Sequence, residues 1–144
     1  MINEMKINFT GVPQNEAFAR SVIGAFTVQL NPTVEELSDV KTAVSEAVTN
    51  AIIHGYEDVV GNVEMSAVID GDKLTVTVTD HGRGIADLTQ AMQPFYTSKP
   101  EQERSGMGFT VMETFMRDVS VTSTVGEGTA VTMTKYIPNQ LSER

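Results

Sequence analysis

The chain has 144 residues, 40% of them hydrophobic, and a formal net charge of −9, which together predict one compact domain over residues 1–144. A charge this negative argues against nucleic acid as a partner and leaves basic proteins as candidates, because phosphates attract basic surfaces. With no cysteine and no apolar run of the length of a signal peptide or membrane span, the sequence excludes disulfide and thiolate chemistry and favours a soluble, cytoplasmic protein that does not contact a membrane.

The first predicted elements are a short strand and an unusually apolar helix. Residues 5–10 have strand character, and the glycine and proline after them turn the chain into a helix over about residues 15–30. Apolar side chains cover more of this helix than one core stripe needs, and Arg20 is its only positive charge. Two interpretations stay open: the helix is deeply buried, or part of it contacts another protein chain with Arg20 at the rim.

A second helix is predicted from a capping pattern and from apolar spacing. Thr33 followed by Glu36 forms a capping box, which marks the first turn of a helix. The residues that follow recur on one face at helical spacing and predict its core stripe. The members of this stripe are Leu37, Val40, Val44, Val48 and Ala51.

Glu46 and Asn50 lie one helical turn apart on this second helix, nearly opposite the core stripe. Glu46 is the only formal charge between Thr42 and Tyr56, whereas a solvated helix face normally carries more. The pair is either incidental on a surface helix, or it is a carboxylate and a carboxamide that point into a partly enclosed cavity. The second arrangement suits a general base beside a ligand for a hard cation.

A hairpin follows, and its second strand ends in an acidic residue on the apolar face. Residues 62–70 and 73–80 alternate as strands around a tight turn, and period-two alternation puts Asp80 on the inward side. Asp80 also opens a D-x-G-x-G turn with Gly82 and Gly84. It is either a hydrogen-bonded turn residue or a buried carboxylate that accepts a hydrogen bond from the amine of a ligand.

The region before the last hairpin combines two cations with a glycine pair. Its three predicted segments are a short helix, a mobile loop and a further helix, over residues 87–92, 93–105 and 109–115. Lys99 and Arg104 lie on the loop just before Gly106 and Gly108, which open the further helix. A helix that begins this way offers free N–H groups to an anion. No GxxxxGK[ST] pattern is present, which excludes a P-loop.

The last predicted element is a second hairpin, formed by residues 118–124 and 129–137. Thr129 has the parity of the inward apolar residues of its strand, so its hydroxyl faces the core side. It is either a strand residue packed by its methyl group or a polar member of a binding site.

Four motifs therefore follow one another, and in this order they resemble those of the GHKL ATPase and kinase superfamily, the ATP-binding fold of gyrase and of histidine kinases. SEAVTNAIIHGY is similar to its N box, DHGRGI and SGMGF to its two glycine boxes, and GEGTAV to its last motif. The segments NEAFARSVIGAF, QLNPTVEEL and FYTSKPEQERSGMGF more closely resemble the family of anti-sigma-F factors from endospore-forming bacteria, which are serine protein kinases of this superfamily.

The resemblance implies an α/β two-layer sandwich, a mostly antiparallel sheet with helices on one face, that binds ATP or ADP with Mg²⁺. It implies that Asn50 ligates the metal ion and that Glu46 is the general base toward the substrate serine. Asp80 is implied to accept the exocyclic amine of adenine, with Thr129 helping through a water. The glycines implied to give the base its clearance are Gly82 and Gly84.

The resemblance also assigns the phosphate side of the pocket and the partners. Lys99 and Arg104 are implied to close over the phosphates, and Gly106 and Gly108 to supply backbone N–H groups to them. The implied protein is a homodimer that inhibits a sporulation sigma factor and phosphorylates a small anti-anti-sigma protein on serine, with Arg20 at a partner surface. Two alternatives remain: a relative that acts in the general stress response, and a nucleotide-gated binding module without kinase activity.

Overall fold

The computed structural model describes residues 2–55, 60–82, 84 and 108–138. These residues form five strands, three α-helices, a 3₁₀ turn and a π-helical turn. The strands are β1 (Ile2–Thr10), β2 (Asn62–Asp70), β3 (Lys73–Asp80), β4 (Asp118–Thr124) and β5 (Gly128–Tyr136). The helices are α1 (Gln14–Thr27), α2 (Val34–Asn50) and α3 (Gly108–Phe115), with the 3₁₀ turn at Val28–Leu30 and the π-helical turn at Ala51–Gly55.

The five strands form one antiparallel sheet in the order β1-β2-β3-β5-β4. Along β2 and β3 every second side chain is buried, and these residues are apolar up to Asp80 at the end of β3. The opposite face is polar, and the hydroxyl oxygens of Thr77 and Thr132 lie 3.2 Å apart on it. A sheet with one covered and one solvated face produces this alternation. Both predicted hairpins and the predicted two-layer α/β architecture are confirmed.

The three helices cover the apolar face, with α2 in the middle. This helix contacts α1 on one side and α3 on the other and packs on β3 below. Its predicted core residues Val40, Val44 and Val48 are fully buried, and so are Ala43 and Ala47, which lie outside the predicted stripe. The buried face is wider than one stripe because a central helix packs on both of its flanks as well as on the sheet.

Local signals explain the helix boundaries. The capping box is present: the Glu36 N–H donates to Thr33 Oγ1 at 3.0 Å, and the Thr33 N–H donates to Glu36 Oε1 at 2.8 Å. The α-helical part of α1 ends three residues earlier than predicted, because the chain tightens into the 3₁₀ turn and then reverses at Asn31, whose φ is 52°. The predicted helix at residues 87–92 and the loop at residues 93–105 lie outside the described residues.

A half-buried lysine fixes α3 against the rest of the fold. Lys135 Nζ donates to the carbonyl oxygen of Phe115 at 2.7 Å and lies 3.6 Å from Asp39 Oδ2 on α2. The cation thus meets the carbonyl end of α3, where the helix dipole favours positive charge. The contact ties β5, α2 and α3 together and holds the helix that Gly108 begins.

Candidate functional site

Three polar side chains form a row across three neighbouring strands. Asp80 on β3 is paired directly with Thr129 on β5, which is paired directly with Ser123 on β4. Directly opposite residues of antiparallel strands point to the same face, so all three lie on the covered face of the sheet. Asp80 is 5% exposed and Thr129 is 9% exposed. The row closes one end of the apolar core with groups that form hydrogen bonds.

Asp80 combines the two arrangements that the sequence left open. The Gly82 N–H donates to Asp80 Oδ1 at 2.9 Å, so the residue does form a hydrogen-bonded turn. The carboxylate is nevertheless buried, and burial raises the pKa of Asp80, although backbone hydrogen bonds from Gly82 and Thr129 and the charge of His81 oppose the rise. A buried carboxylate of this kind gains from a further donor, such as the amine of a ligand.

Two glycines allow close backbone packing around this row. A Cβ at Gly128, whose φ is +119°, would lie 2.1 Å from the carbonyl oxygen of Asp80. A Cβ at Gly84, whose φ is +75°, would lie 2.4 Å from the carbonyl oxygen of Thr124. Packing of the described backbone alone therefore requires a glycine at position 84. The expected role of Gly82 and Gly84, to leave room for a nucleobase, stays a prediction.

Glu46 and Asn50 occupy the last two turns of α2, and both are half-buried. Asn50 is the last α-helical residue, and the π-helical turn Ala51–Gly55 begins directly after it. This turn contacts β3 and β5, the strands that carry Asp80 and Thr129. The end of α2 is thus packed against two of the three strands of the polar row, β3 and β5. π-Helical turns are rare and frequent at functional sites; nothing in the sequence pattern predicted this one.

A polar network that the sequence analysis missed links α1 to α2 beside Glu46. The Ser45 hydroxyl donates to Glu16 Oε1, and Glu16 Oε1 lies 3.6 Å from Arg20 Nη1. The Arg20 side chain is 46% exposed, and its place at the rim of a partner surface stays a prediction. Glu16 and Arg20 are four residues apart, a spacing that favours an ion pair on a helix, and this spacing was the available signal.

A groove of about 520 Å³ is lined by residues of α1 and α2. Arg20 and Lys41 bring two cations to it, and no acidic residue is among its lining residues. The chain has a formal net charge of −9, so the positive charge of this groove is opposite in sign to that of the whole molecule. The full lining is Arg20, Ser21, Val34, Leu37, Ser38, Lys41 and Thr42.

The remaining expected site residues divide into two groups. Gly108 is buried and begins α3, whereas Lys99, Arg104 and Gly106 lie outside the described residues. Within the described ranges, no cluster of three or more histidine, cysteine, aspartate or glutamate side chains could hold a metal ion. The helices in the same ranges are too short or too polar to cross a membrane.

Comparison with known proteins shows the family to which this chain belongs. Residues 9–135 match the model of the histidine kinase-like ATPase domain. The chain is 58% identical over 135 residues to an anti-sigma F factor of Thermoanaerobacter sp. strain X514, with 94% of each chain covered. It is 58% identical over 140 residues to an anti-sigma F factor of Clostridium kluyveri, with 97% of this chain and 98% of that protein covered.

Solved structures show the same fold at lower identity. The RsbU and RsbW domains of a Mycobacterium tuberculosis protein align with a TM-score of 0.68 and 20% identity, over 94% of this chain and 32% of that one. The histidine kinase domain of a blue-light activated kinase from Erythrobacter litoralis aligns with a TM-score of 0.53 and 22% identity, over 89% of this chain and 62% of that one. At these identities the likeness concerns the fold alone.

Proposed function

The chain belongs to the anti-sigma F factors of the histidine kinase-like ATPase family, and from this premise we propose that it inhibits a sporulation sigma factor and phosphorylates a small anti-anti-sigma protein on serine with Mg·ATP. The observation that supports the catalytic part is the packing of the π-helical turn on β3 and β5. It brings the end of α2, with a carboxylate and an amide, against the strands of the buried polar row.

The polar row is the proposed site for the base of ATP or ADP. The ionised carboxylate of Asp80 accepts a hydrogen bond from the exocyclic amine of adenine, and Thr129 binds the same edge through a water. The phosphates extend toward the N-terminus of α3, where Gly106 and Gly108 supply N–H groups. Lys99 and Arg104 complete the phosphate side in this proposal, as the family resemblance implies.

Glu46 and Asn50 are the proposed catalytic side of the pocket. The serine oxygen of the acceptor attacks the γ-phosphorus, the bond from that phosphorus to the β–γ bridging oxygen breaks, and ADP leaves. Glu46 takes the proton of the serine hydroxyl. Asn50 would hold Mg²⁺, which when bound offsets the negative charge of the phosphates. The half-buried positions of both side chains restrict their motion, and positioning supplies much of the catalysis in phosphoryl transfer.

The groove between α1 and α2 is the proposed protein-binding surface. Its cations are Arg20, which is exposed on α1, and Lys41, which is half-buried on α2, and Arg20 already pairs weakly with Glu16 at 3.6 Å. A partner carboxylate can compete for such an exposed pair, because surface ion pairs contribute little to stability. In this proposal the sigma factor or the phosphoryl acceptor binds to this surface. The protein that presents the surface is a homodimer.

The kinase proposal is tested with Glu46→Gln. This variant should keep nucleotide binding and lose transfer of labelled phosphate to the acceptor serine by a factor of about 10² or more, the usual scale for a general base. Glu35→Gln is the matched control, because Glu35 is exposed in the first turn of the same helix. Transfer at an undiminished rate in Glu46→Gln would remove Glu46 from the mechanism. ATP binding without any phosphoserine in the wild type would instead support the nucleotide-gated binding module.

A further inference from the structure

Lys135 lies where the inward side of β5 meets the end of α3. Its direct partner on β3 is Leu74, which is fully buried, so the lysine faces the covered side of the sheet. Its side chain is 17% exposed, and that of Asp39 on α2, 3.6 Å away, is 22% exposed. The ammonium group donates to the carbonyl oxygen of Phe115 at 2.7 Å. This direction is fixed, because an ammonium group can only donate and a carbonyl oxygen can only accept.

The C-terminal end of α3 is attached to β5 at two points. Besides the lysine contact, the Arg117 N–H donates to the carbonyl oxygen of Thr134 at 2.8 Å. The last carbonyl groups of a helix have no partner within the helix, and Lys135 supplies one to Phe115. Elsewhere α3 packs on α2 through a face that includes the buried Phe109 and Met112. The strand β5 thus holds one end of the helix, and α2 holds one of its faces.

The shortness of α3 makes this attachment important. The helix has eight residues, and helices shorter than about 12 residues are marginal on their own in water. Its stability therefore depends on its buried face and on contacts at its ends. In the proposed function the phosphates of ATP lie at its N-terminal end, so the phosphates and Lys135 favour the same helical state from opposite ends. Two contacts that stabilise one state are coupled, and each strengthens the other.

We propose that Lys135 is a positioning residue for the nucleotide phosphates: it holds the C-terminal end of α3 and thereby keeps the N-terminal end in the form that binds them. The inference rests on the proposed nucleotide site and adds to it a residue that does not touch the nucleotide. A helix of eight residues is about 12 Å long, and the screening length at physiological ionic strength is about 8 Å. Direct attraction over this distance is weak, and Asp39 offsets the charge of the lysine, so Lys135 acts through the helix.

Removal of the ammonium group should weaken the binding of ATP but not that of adenosine, which has no phosphate to reach α3. When the binding form of the helix is populated only in part, the apparent affinity falls by that fraction. We expect the ratio of the dissociation constants of Mg·ATP and adenosine, measured by titration calorimetry, to rise about fivefold or more in Lys135→Met. Lys135→Arg keeps a cation that can donate to a carbonyl and to a carboxylate, so its ratio should stay within about twofold of the wild type.

Hydrogen exchange separates positioning from general stability. In the ligand-free Lys135→Met protein the amides of α3 should exchange faster than in the wild type, and those of β2 should change less. Saturation with Mg·ATP should restore protection in α3. Equal acceleration in α3 and β2 would indicate a general loss of stability and overturn the positioning role. Asp39→Ala removes the carboxylate that orients the lysine; it should shift both measurements in the same direction, and it carries the test if Lys135→Met does not fold.

Lys73→Met is the matched control. Lys73 is exposed at the start of β3, next to the residue that pairs with Lys135, and its substitution removes the same charge. It should leave the ratio unchanged, and an equal rise in both lysine variants would indicate an effect of net charge and overturn the proposal. A wild-type ratio in Lys135→Met and Asp39→Ala, with ATP still bound, would overturn the role of Lys135 and leave the nucleotide site standing. A wild-type protein that binds no ATP would overturn the proposed function, and the role of Lys135 with it.

Discussion

At the scale of single residues, Asp80 shows a conflict between folding and binding. Burial raises the pKa of its carboxyl group above the ordinary value of 3.8. A carboxyl group whose pKa is raised in the folded state supports folding fully below its unfolded pKa, and that support is lost as pH rises through the folded pKa. At neutral pH the charge therefore opposes folding, and a ligand amine that pairs with it recovers part of the loss.

Asp80→Asn should separate the two effects. At pH 7 the variant should raise the free energy of unfolding of the ligand-free protein, by less than about 1 kcal/mol because asparagine gives up one backbone hydrogen bond. This gain should shrink as pH falls through the raised pKa of Asp80 toward 3.8, because the carboxyl of the folded wild-type protein then becomes protonated and loses its charge. ATP affinity should fall at least about tenfold, the scale of a hydrogen bond to a charged group.

Urea unfolding at pH 7 and pH 4 and calorimetric titration with ATP measure these quantities. Asp70→Asn is the control, since Asp70 is exposed at the end of β2 and should change neither. A stability gain for Asp80→Asn that grows on acidification would contradict the account.

The same residue shows what the sequence could predict about the site. Strand parity put Asp80 and Thr129 on the covered face, and both are buried. Parity depends only on neighbours along the chain, so it can be seen in one sequence. The bond between the Ser123 and Thr129 hydroxyls depends on the register of β4 against β5, and the bond from Ser45 to Glu16 on the packing of two helices. Neither register nor packing follows from local pattern, and both pairs were missed.

At the scale of elements, the turn between β4 and β5 affects the packing around the polar row, because Gly128 follows the turn directly. Its φ of +119° is a backbone conformation that residues with a side chain rarely adopt, and a Cβ there would lie 2.1 Å from the carbonyl oxygen of Asp80. The motif GEGTAV therefore contributes to the candidate site through a glycine that lets β5 pass close to the end of β3. Gly126, in the same turn, has a φ of +83° and nothing within 4 Å of such a Cβ.

Gly128→Ala and Gly126→Ala form a matched pair. Gly126→Ala should lower the free energy of unfolding by about 1–2 kcal/mol, the cost of the left-handed conformation alone. Gly128→Ala should cost more than about 3 kcal/mol, because the clash displaces the backbone of Asp80, and any folded fraction should bind ATP more weakly. Urea unfolding of both variants measures the difference. Equal losses would show that the backbone around Asp80 adapts and that Gly128 is needed for its φ only.

The elements themselves were predicted well where their signals are local. The bounds of β2 and β3 match because turn residues flank an alternating pattern, and α2 begins at its capping box. The start of β1 was predicted three residues late, because Ile2 pairs with Asp70 and strand pairing extends the strand beyond its own pattern. The π-helical turn after Asn50 has no known local signature; its contacts with β3 and β5 are tertiary.

At the scale of the whole molecule, the side formed by β1 and α1 has the features of an interface between two copies. β1 is an edge strand of nine residues, and a long edge leaves backbone groups open to pairing. Asn3 Nδ2 donates to Gln29 Oε1 at 2.8 Å, which joins the start of β1 to the 3₁₀ turn that follows α1. Beside this contact Ile2 is 64% exposed and Val28 is 53% exposed. We therefore place the proposed homodimer interface here.

A dimer makes stability depend on protein concentration. Because unfolding then separates two chains, a hundredfold rise in concentration should stabilise the dimer by about 2.7 kcal/mol and raise the thermal midpoint by about 4 °C. Sedimentation equilibrium should give twice the monomer mass of 15.6 kDa.

Val28→Ser should shift the protein toward monomer, because it removes exposed apolar surface beside the β1 edge. Val125→Ser is the matched control, since Val125 is 66% exposed in the turn between β4 and β5, at the other edge of the sheet. A thermal midpoint that does not change with concentration would argue for a monomer, and equal effects of the two substitutions would place the interface elsewhere.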